Sequence, residues 1–283
     1  MHVQLGLIGD KIQTSRSPDL HRLAGRLCGL DVSYDLLIPP ARSETFDAVF
    51  DHCRGGGYRG INVTFPYKER VLSRLVAPGP DLVALGACNT VVFDSDGPRG
   101  ANTDCTGFGS AFRHRFGNAS PGIVAMAGAG GVGKAIAFAL VGLGASEIRL
   151  CDADRAKAEA LAATLAPRAD AEGTRIVLCD GMTEAAEGVD GIVNATPLGM
   201  AGVGGNAIPD AALEGTGWAF DAVYTPEWTE FLSRAREACL DILSGYELFL
   251  FQGIDAFRIF TGHEVDAEAL RRELTGAALR EAS

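Results

Sequence analysis

The sequence predicts an α/β protein of two domains, the second built on a parallel sheet whose strands alternate with helices. Three observations carry that prediction. The chain has 283 residues, enough for two separate hydrophobic cores. A short apolar run at 123–127 leads at once into Gly128-Ala129-Gly130-Gly131-Val132-Gly133, a G-x-G-x-x-G turn. An apolar-periodic helix at 134–143 follows, stopped by Gly144, and the next strand ends on Asp152, about 20 residues past the glycines. Strand, glycine turn, helix, strand and terminal acid is the order that a Rossmann-type dinucleotide-binding domain requires.

Each glycine of the turn has a physical task. Gly128 permits the sharp bend, Gly130 lets a pyrophosphate reach bare backbone, and Gly133 lets the helix lie close against the sheet. Ala129, Gly131 and Val132 complete the turn, where the helix start offers N–H groups to phosphate oxygens. Asp152 then selects the cofactor. A carboxylate there accepts both ribose hydroxyls of NAD and repels a 2′-phosphate, and position 153, where an arginine would pair with that phosphate, is Ala. Arg155 and Lys157 stand where the next helix begins and read as solvated. NAD is therefore expected in preference to NADP. The plainer role for Asp152 is to cap that helix.

Composition narrows the function classes. The formal net charge of −11 opposes binding to a phosphate backbone, which needs clustered Lys and Arg. No apolar run approaches the roughly 20 residues needed to span a bilayer. The first residues lack a basic segment followed by an apolar one, so no secretory leader is expected. The 7 cysteines are scattered and form no C-x-x-C pair, which suits reduced thiols in a cytoplasm and suggests neither a disulfide framework nor a metal site. The expected partner is a small molecule, with no nucleic acid and no membrane, bound by a monomer or homodimer.

From the N-terminus, a strand at 4–8 closes on Gly9-Asp10. Ser15-Arg16-Ser17-Pro18 precedes an apolar-periodic helix at 20–27; Pro18 suits its first turn and Ser17 its N-cap. The two serine hydroxyls would equally complete an anion site around the helix's first N–H groups. A strand at 32–38 and a helix at 43–53 follow, the helix ended by Gly55-Gly56-Gly57. Gly60 to Lys68 then reads as a strand, a proline-marked turn and a lysine opening a helix at 68–75. Ala87-Cys88-Asn89-Thr90 leads into a strand at 91–93, and Gly100-Ala101-Asn102-Thr103-Asp104 leads into a further helix. Beyond the glycine turn come an alanine-rich helix at 155–165 and strands at 176–178, 191–196 and 218–223. Tyr224 stands at the tip of the last of these. A helix at 230–239 precedes a final apolar helix at 246–260, begun by Gly245, with Leu250, Ile254 and Phe257 on one stripe and Gln252 as its embedded polar residue.

Ser15-x-Ser17-Pro18, the run Asn62-Val63-Thr64-Phe65-Pro66-Tyr67-Lys68, Asn89-Thr90, Asn102-Thr103-Asp104 and the glycine turn resemble, in unbroken order, the shikimate dehydrogenase family. Asn194-Ala195-Thr196-Pro197-Leu198-Gly199-Met200, Asp221-Ala222-Val223-Tyr224 with Pro226, and Gly245 with Gln252 extend the likeness over nearly the whole chain. Asp152 and the tail 255–262 are most similar to the NAD-using quinate/shikimate dehydrogenases. The resemblance implies a substrate domain of residues 1–105 plus 246–283, an NAD-binding domain of 106–245, and C-terminal helices that return to the first domain. It implies reversible oxidation of a ring hydroxyl of shikimate, or of quinate, to the 3-dehydro ketone. Lys68 is then the general acid/base and Asp104 its orienting partner. Ser15 and Ser17 hold the substrate carboxylate with help from Tyr224, and Thr64, Asn89 and Gln252 read the remaining ring hydroxyls. Thr196, Pro197, Met200, Val223 and Gly245 lie with the cofactor, Met200 beside the nicotinamide.

The chain also departs from the family. Gly9-Asp10-Lys11-Ile12 stands where many members have a glycine and proline turn, and Thr14 where biosynthetic members usually have histidine. Residue 17 is Ser, whereas quinate-oxidising members often carry Thr, a one-methyl difference worth about 1–3 kcal/mol in substrate choice. Two alternatives stand beside this reading: a dehydrogenase of another cyclic acid, such as an aminated ring compound, and a ligand-sensing regulator without turnover. The second should have lost Lys68 or Asp104, and both are present.

Overall fold

Short aliphatic strands between helices build two separate sheets. The computed structural model describes residues 2–281. They fall into two compact units, one formed by the chain up to Thr103 together with the chain from Leu250 onward, the other by Asp104–Phe249.

The first unit contains β1 (His2–Ile8), α1 (Ser17–Leu27), β2 (Asp31–Leu37), α2 (Phe46–Gly55), β3 (Gly60–Val63), α3 (Pro80–Leu85), β4 (Thr90–Asp94) and β5 (Gly97–Ala101). Its sheet runs β2-β1-β3-β4-β5. The first three strands are parallel, and β4 is antiparallel to both its neighbours. Both faces are covered, as a parallel sheet requires. Phe46, Val49 and Phe50 of α2 pack on Ile8 and Ile61 at one face, and Leu5, Leu7 and Tyr34 meet Ala256 and Phe260 at the other.

The division between units falls at the start of α4 (Thr103–Phe116). The second unit continues through β6 (Ile123–Ala127), α5 (Gly131–Gly142), β7 (Glu147–Cys151), α6 (Arg155–Glu172), β8 (Arg175–Leu178), α7 (Met182–Ala185), β9 (Gly191–Asn194), β10 (Trp218–Asp221), α8 (Glu230–Glu237) and β11 (Asp241–Leu243). Its six strands are all parallel, in the order β11-β10-β9-β6-β7-β8. The chain direction across the sheet reverses between β6 and β9, the crevice where open α/β sheets bind ligands. α9 (Gly245–Thr261) and α10 (Ala267–Glu281) then carry the chain back onto the first unit. Gly253 of α9 passes so close to Leu20 that a Cβ would stand 2.5 Å from Leu20 Cδ1, and Arg59 Nε donates to the Phe260 carbonyl at 2.8 Å. Among the described residues no helix is long and apolar enough to cross a membrane.

Several elements differ from their sequence expectation for identifiable reasons. α1 begins on Ser17, so Ser17 is not its N-cap; Ser15 Oγ accepts from the Ser17 amide at 3.3 Å instead. Lys68 does not open a helix. It stands in a turn ahead of a short 3₁₀ helix, Arg70–Arg74, because its carbonyl is taken by the Cys88 amide at 2.8 Å. The strands expected to reach 196 and 223 stop at Asn194 and Asp221. Each side chain takes the amide two residues on, at 3.0 Å in both cases, and turns the backbone out of the sheet. β5, Gly97-Pro98-Arg99-Gly100-Ala101, gave no strand signal, since glycine and proline are tolerated only at a sheet edge. α6 runs past 165 and through Pro167 to stop at Gly173, whose φ of +75° ends it.

α1 also buries an imidazole. His21 is 2% exposed and stacks on Tyr34, with ring centroids 4.8 Å apart. Phe257 and Phe260 of α9 lie 6.2 Å and 5.8 Å from it. Burial pushes its pKa down to about 3 against the opposing hydrogen bond of Asn62, so the folded protein holds it neutral. An unfolded chain protonates histidine near pH ~6.5. The stability that His21 contributes is thus complete above that value and is lost as pH falls from there toward 3. Urea unfolding between pH 7 and 4 should show a stability loss of up to about 1.4 kcal/mol per pH unit from this residue, and His21→Gln should flatten that slope.

Candidate functional site

Sheet topology gathers one set of the expected residues at one edge of the first sheet. β1 and β3 are parallel, and their carboxyl ends release the loops bearing Ser15, Ser17, Thr64 and Lys68. β4 runs the other way, so Asn89 and Thr90 at its start arrive at that same edge, where Thr90 pairs with Asn62. β5 returns its end there as well, with Ala101 opposite Thr90, and delivers Asn102 and Thr103. Ser15, Ser17, Thr64 and Lys68 are half-buried, and Asn89 is buried. Ser15 Oγ donates to Ser17 Oγ at 3.1 Å, so the two hydroxyls adjoin at the start of α1. Gln252 is half-buried on α9 in this unit, whereas Asp104 and Tyr224 belong to the second. Tyr224 is 43% exposed and stacks on Phe249.

A buried polar chain holds this edge. Tyr34 donates its hydroxyl to Asn62 Oδ1 at 2.8 Å, and Asn62 Nδ2 donates to Thr90 Oγ1 at 3.0 Å and to the Asn89 carbonyl at 3.2 Å. Asn89 Oδ1 then accepts from the Thr103 amide at 2.7 Å and from the hydroxyls of Thr103 and Thr90, each at 3.1 Å. A backbone N–H can only donate, which fixes the orientation of the Asn89 amide: its oxygen is fully used, and its NH₂ is the end available to a ligand. Tyr34, Asn62, Thr90 and Thr103 carry this arrangement, and sequence reasoning assigned none of them a role. For Asn62 and Thr90 the signal was a polar side chain at the end of an apolar strand.

In the second unit the glycine turn has the expected local geometry. Gly128 takes φ +99°, and a Cβ there would stand 2.8 Å from the Ala195 backbone. A Cβ on Gly133 would stand 2.2 Å from the Gly128 carbonyl oxygen, whereas Gly130 and Gly131 have nothing within 4 Å. The first and third glycines therefore serve packing, and the space above the middle pair is open to a pyrophosphate. α5 starts there with no acidic residue in its first turn and no side-chain cap, leaving its N-terminal field to an anion. Half-buried Val132 lies in that first turn.

Asp152 is held at both oxygens. Oδ2 accepts from the Ala129 amide at 2.7 Å and Oδ1 from the Asp154 amide at 2.9 Å. It does not cap α6; Asp154 does, accepting from the Ala156 amide. A cavity of about 520 Å³ opens beside it, lined among others by Gly128, Gly130, Asp152, Ala153, Thr196 and Pro197. Lys157 also reaches this cavity, with Asp154 3.8 Å from its ammonium. The turn, the open space and the anchored carboxylate fit a dinucleotide.

The loops beyond β9 and β10 are tied together by Asn194 and Asp221, which the sequence placed in motifs without assigning them a task. Asn194 Nδ2 donates to Asp221 Oδ1 at 2.9 Å, and Asn194 Oδ1 accepts from the Thr196 hydroxyl at 2.7 Å. Asp221 also accepts from the Val223 amide at 3.0 Å and the Thr229 hydroxyl at 2.6 Å. Met200 is 42% exposed, and Val223 is buried. A Cβ on Gly245 would press on three carbonyl oxygens of 221–223 within 2.8 Å, so the start of α9 abuts this loop. Burial pushes the Asp221 carboxyl up to about 6, although Thr229, Val223 and Asn194 pull the other way.

These features define a class: proteins that hold a dinucleotide on a six-stranded parallel sheet and join it to a second α/β unit. The chain belongs to the shikimate dehydrogenase family. Residues 7–91 match the model of the shikimate dehydrogenase substrate binding domain. The quinate/shikimate dehydrogenase (NAD(+)) of Corynebacterium efficiens is 38% identical over 273 residues, 95% of this chain and 96% of that protein. The shikimate dehydrogenase (NADP(+)) of Streptomyces avermitilis is 38% identical over 97% of this chain and 95% of its own. The quinate dehydrogenase of Corynebacterium glutamicum, solved in complex with NAD, superposes with a TM-score of 0.90 at 36% identity, covering 97% of this chain and 99% of that one.

For Asp221 the folded value lies above the unfolded one, so its stabilising contribution is complete below pH ~3.9 and is lost as pH rises through about 6. Asp221→Asn should remove that decline, worth up to about 3 kcal/mol, as read from denaturant midpoints at pH 4 and pH 7.

Proposed function

We propose that the protein is an NAD-dependent dehydrogenase that reversibly oxidises the ring hydroxyl of shikimate, with quinate as a second substrate, to the 3-dehydro ketone. It acts in this reading as a cytoplasmic monomer or homodimer. The observation that carries the cofactor choice is Asp152, whose two oxygens are anchored by backbone amides beside Ala153. A fixed carboxylate accepts the 2′- and 3′-hydroxyls of an adenosine ribose and repels a 2′-phosphate. The Corynebacterium relatives support the same choice by their names.

Gly130, Gly131 and the start of α5 would receive the pyrophosphate, while Thr196, Pro197, Met200 and Val223 would line the rest of the cofactor's path. The nicotinamide, when bound, supplies the hydride chemistry. The protein's own residues must hold the substrate and move one proton. Ser15 and Ser17, whose hydroxyls adjoin at the start of α1, would hold the ring carboxylate with those hydroxyls. Asn89, its oxygen already used, would donate its NH₂ to a ring hydroxyl, and Thr64 and Gln252 would take others. In oxidation the proton leaves the reacting hydroxyl oxygen for the Lys68 nitrogen; in reduction the Lys68 ammonium returns it, with Asp104 orienting the hydroxyl.

Lys68→Ala should lower kcat by about 10²–10⁴-fold while the affinity for NAD stays unchanged; full turnover in the variant would remove Lys68 from the mechanism. Replacing Asp152 with Asn together with Ala153 with Arg should shift the kcat/KM preference toward NADP, and an unchanged ratio would show that Asp152 does not read the ribose. Steady-state kinetics with shikimate and quinate, each against NAD and NADP, tests the assignment as a whole.

A further inference from the structure

The residue before Lys68 is held more firmly than a turn residue needs to be. Tyr67 lies with its ring stacked on Phe46, centroids 4.8 Å apart and planes 21° from parallel, and Phe46 is itself buried. Its amide donates to the Thr64 carbonyl at 2.9 Å, and its hydroxyl donates to Asp10 Oδ1 at 2.6 Å. On the other side the Lys68 carbonyl accepts from the amide of buried Cys88 at 2.8 Å. The backbone that carries the lysine is therefore fixed before and after it.

Asp10 opens the loop that leads from β1 to the two serines. That loop is pressed against the Lys68 turn. The Asp10 amide donates to the Phe65 carbonyl at 3.2 Å, and the Thr64 amide donates to the Ile8 carbonyl at 2.9 Å. A Cβ on Gly9 would stand 2.4 Å from Thr64 Cγ2, so only glycine permits this approach. Farther along, the Ser15 amide closes a turn onto the Ile12 carbonyl at 2.9 Å. The side-chain bond between Asp10 and Tyr67 thus joins the segment ending in Ser15 and Ser17 to the segment ending in Lys68.

We propose that Asp10 and Tyr67 are positioning residues for the known family reaction: their bond sets the place of the Lys68 nitrogen relative to the Ser15 and Ser17 hydroxyls. It rests on the role proposed above for Lys68. A hydroxyl donating to a carboxylate is a short, directional contact, stronger than a neutral one. Burial and the neighbouring Asp10 push the Tyr67 phenol up to about 12, so the donor keeps its proton at any working pH. A proton-transferring group displaced by a fraction of an ångström loses rate and not substrate affinity, since the carboxylate contacts remain. The clamp should therefore be felt in kcat.

The test compares Tyr67→Phe, Asp10→Ala, Asp10→Asn and the Tyr67→Phe/Asp10→Ala double variant, measuring kcat, KM for shikimate, NAD affinity and thermal midpoint. Tyr67→Phe keeps the ring on Phe46 and removes only the hydroxyl. Each single loss should lower kcat about 10-fold with KM for shikimate and NAD affinity nearly unchanged. The double variant should be no slower than either single one, and Asp10→Asn, which keeps an acceptor oxygen, should recover most of the rate. Unchanged kcat in Tyr67→Phe and Asp10→Ala overturns the proposal, as do additive losses in the double variant or a fall in thermal midpoint alone. Lys68→Ala separates this from failure of the parent reading: turnover in Lys68→Ala refutes the lysine's role, whereas an inactive Lys68→Ala beside a fully active Tyr67→Phe refutes the clamp only.

Discussion

The carboxamide oxygen of Asn89 is the point on which the substrate-side edge depends. It accepts three hydrogen bonds, from Thr90 at the start of β4 and from the amide and hydroxyl of Thr103 where α4 begins. Asn62 of β3 joins the same chain and passes it to Tyr34 on β2. Four stretches of the first unit are thereby held to one another by groups hidden from water. A buried donor or acceptor left unmade costs about 1–3 kcal/mol, so the arrangement tolerates little displacement. Its result is that Asn89 faces any ligand as a donor, and that the residue after Thr103 leaves the sheet from a fixed point.

The second unit uses the same device with an acid. Asp221 collects Asn194, Val223 and Thr229, and Asn194 in turn holds Thr196. The tips of β9 and β10 are thus bent outward by their own last side chains. The Ala129 amide is spent on Asp152, which couples the glycine turn to the carboxylate at the end of β7.

Much of this could be read in the chain beforehand. The glycine turn, the order of strands and helices around it and the acid at the end of β7 followed from periodicity and spacing, because a parallel strand buried on both faces is a continuous apolar run. Elements governed by side-chain hydrogen bonds were not legible. Ser17 looked like a helix cap until Ser15 was seen to take its amide, and Asp152 looked like one until Asp154 did. β5 was hidden by its glycines and proline, and the turn at Lys68 depends on a carbonyl claimed from twenty residues away by Cys88. Asn62, Thr90, Asn194 and Asp221 all stood in recognisable motifs. Asn62 meets Thr90 across 28 residues and Asn194 meets Asp221 across 27, so local pattern could say that they mattered but not how.

The return of α9 to the first unit has a consequence for biosynthesis. Gly60 lies under the ring of Phe260, and Leu20 against Gly253, so the N-terminal sheet completes one of its faces with residues that follow the whole second unit in the chain. The Asp104–Phe249 segment, by contrast, holds every strand of its own sheet in one continuous stretch. A chain emerging from the ribosome can therefore close the later-made unit first, while the earlier-made one waits with part of an apolar face uncovered until α9 emerges.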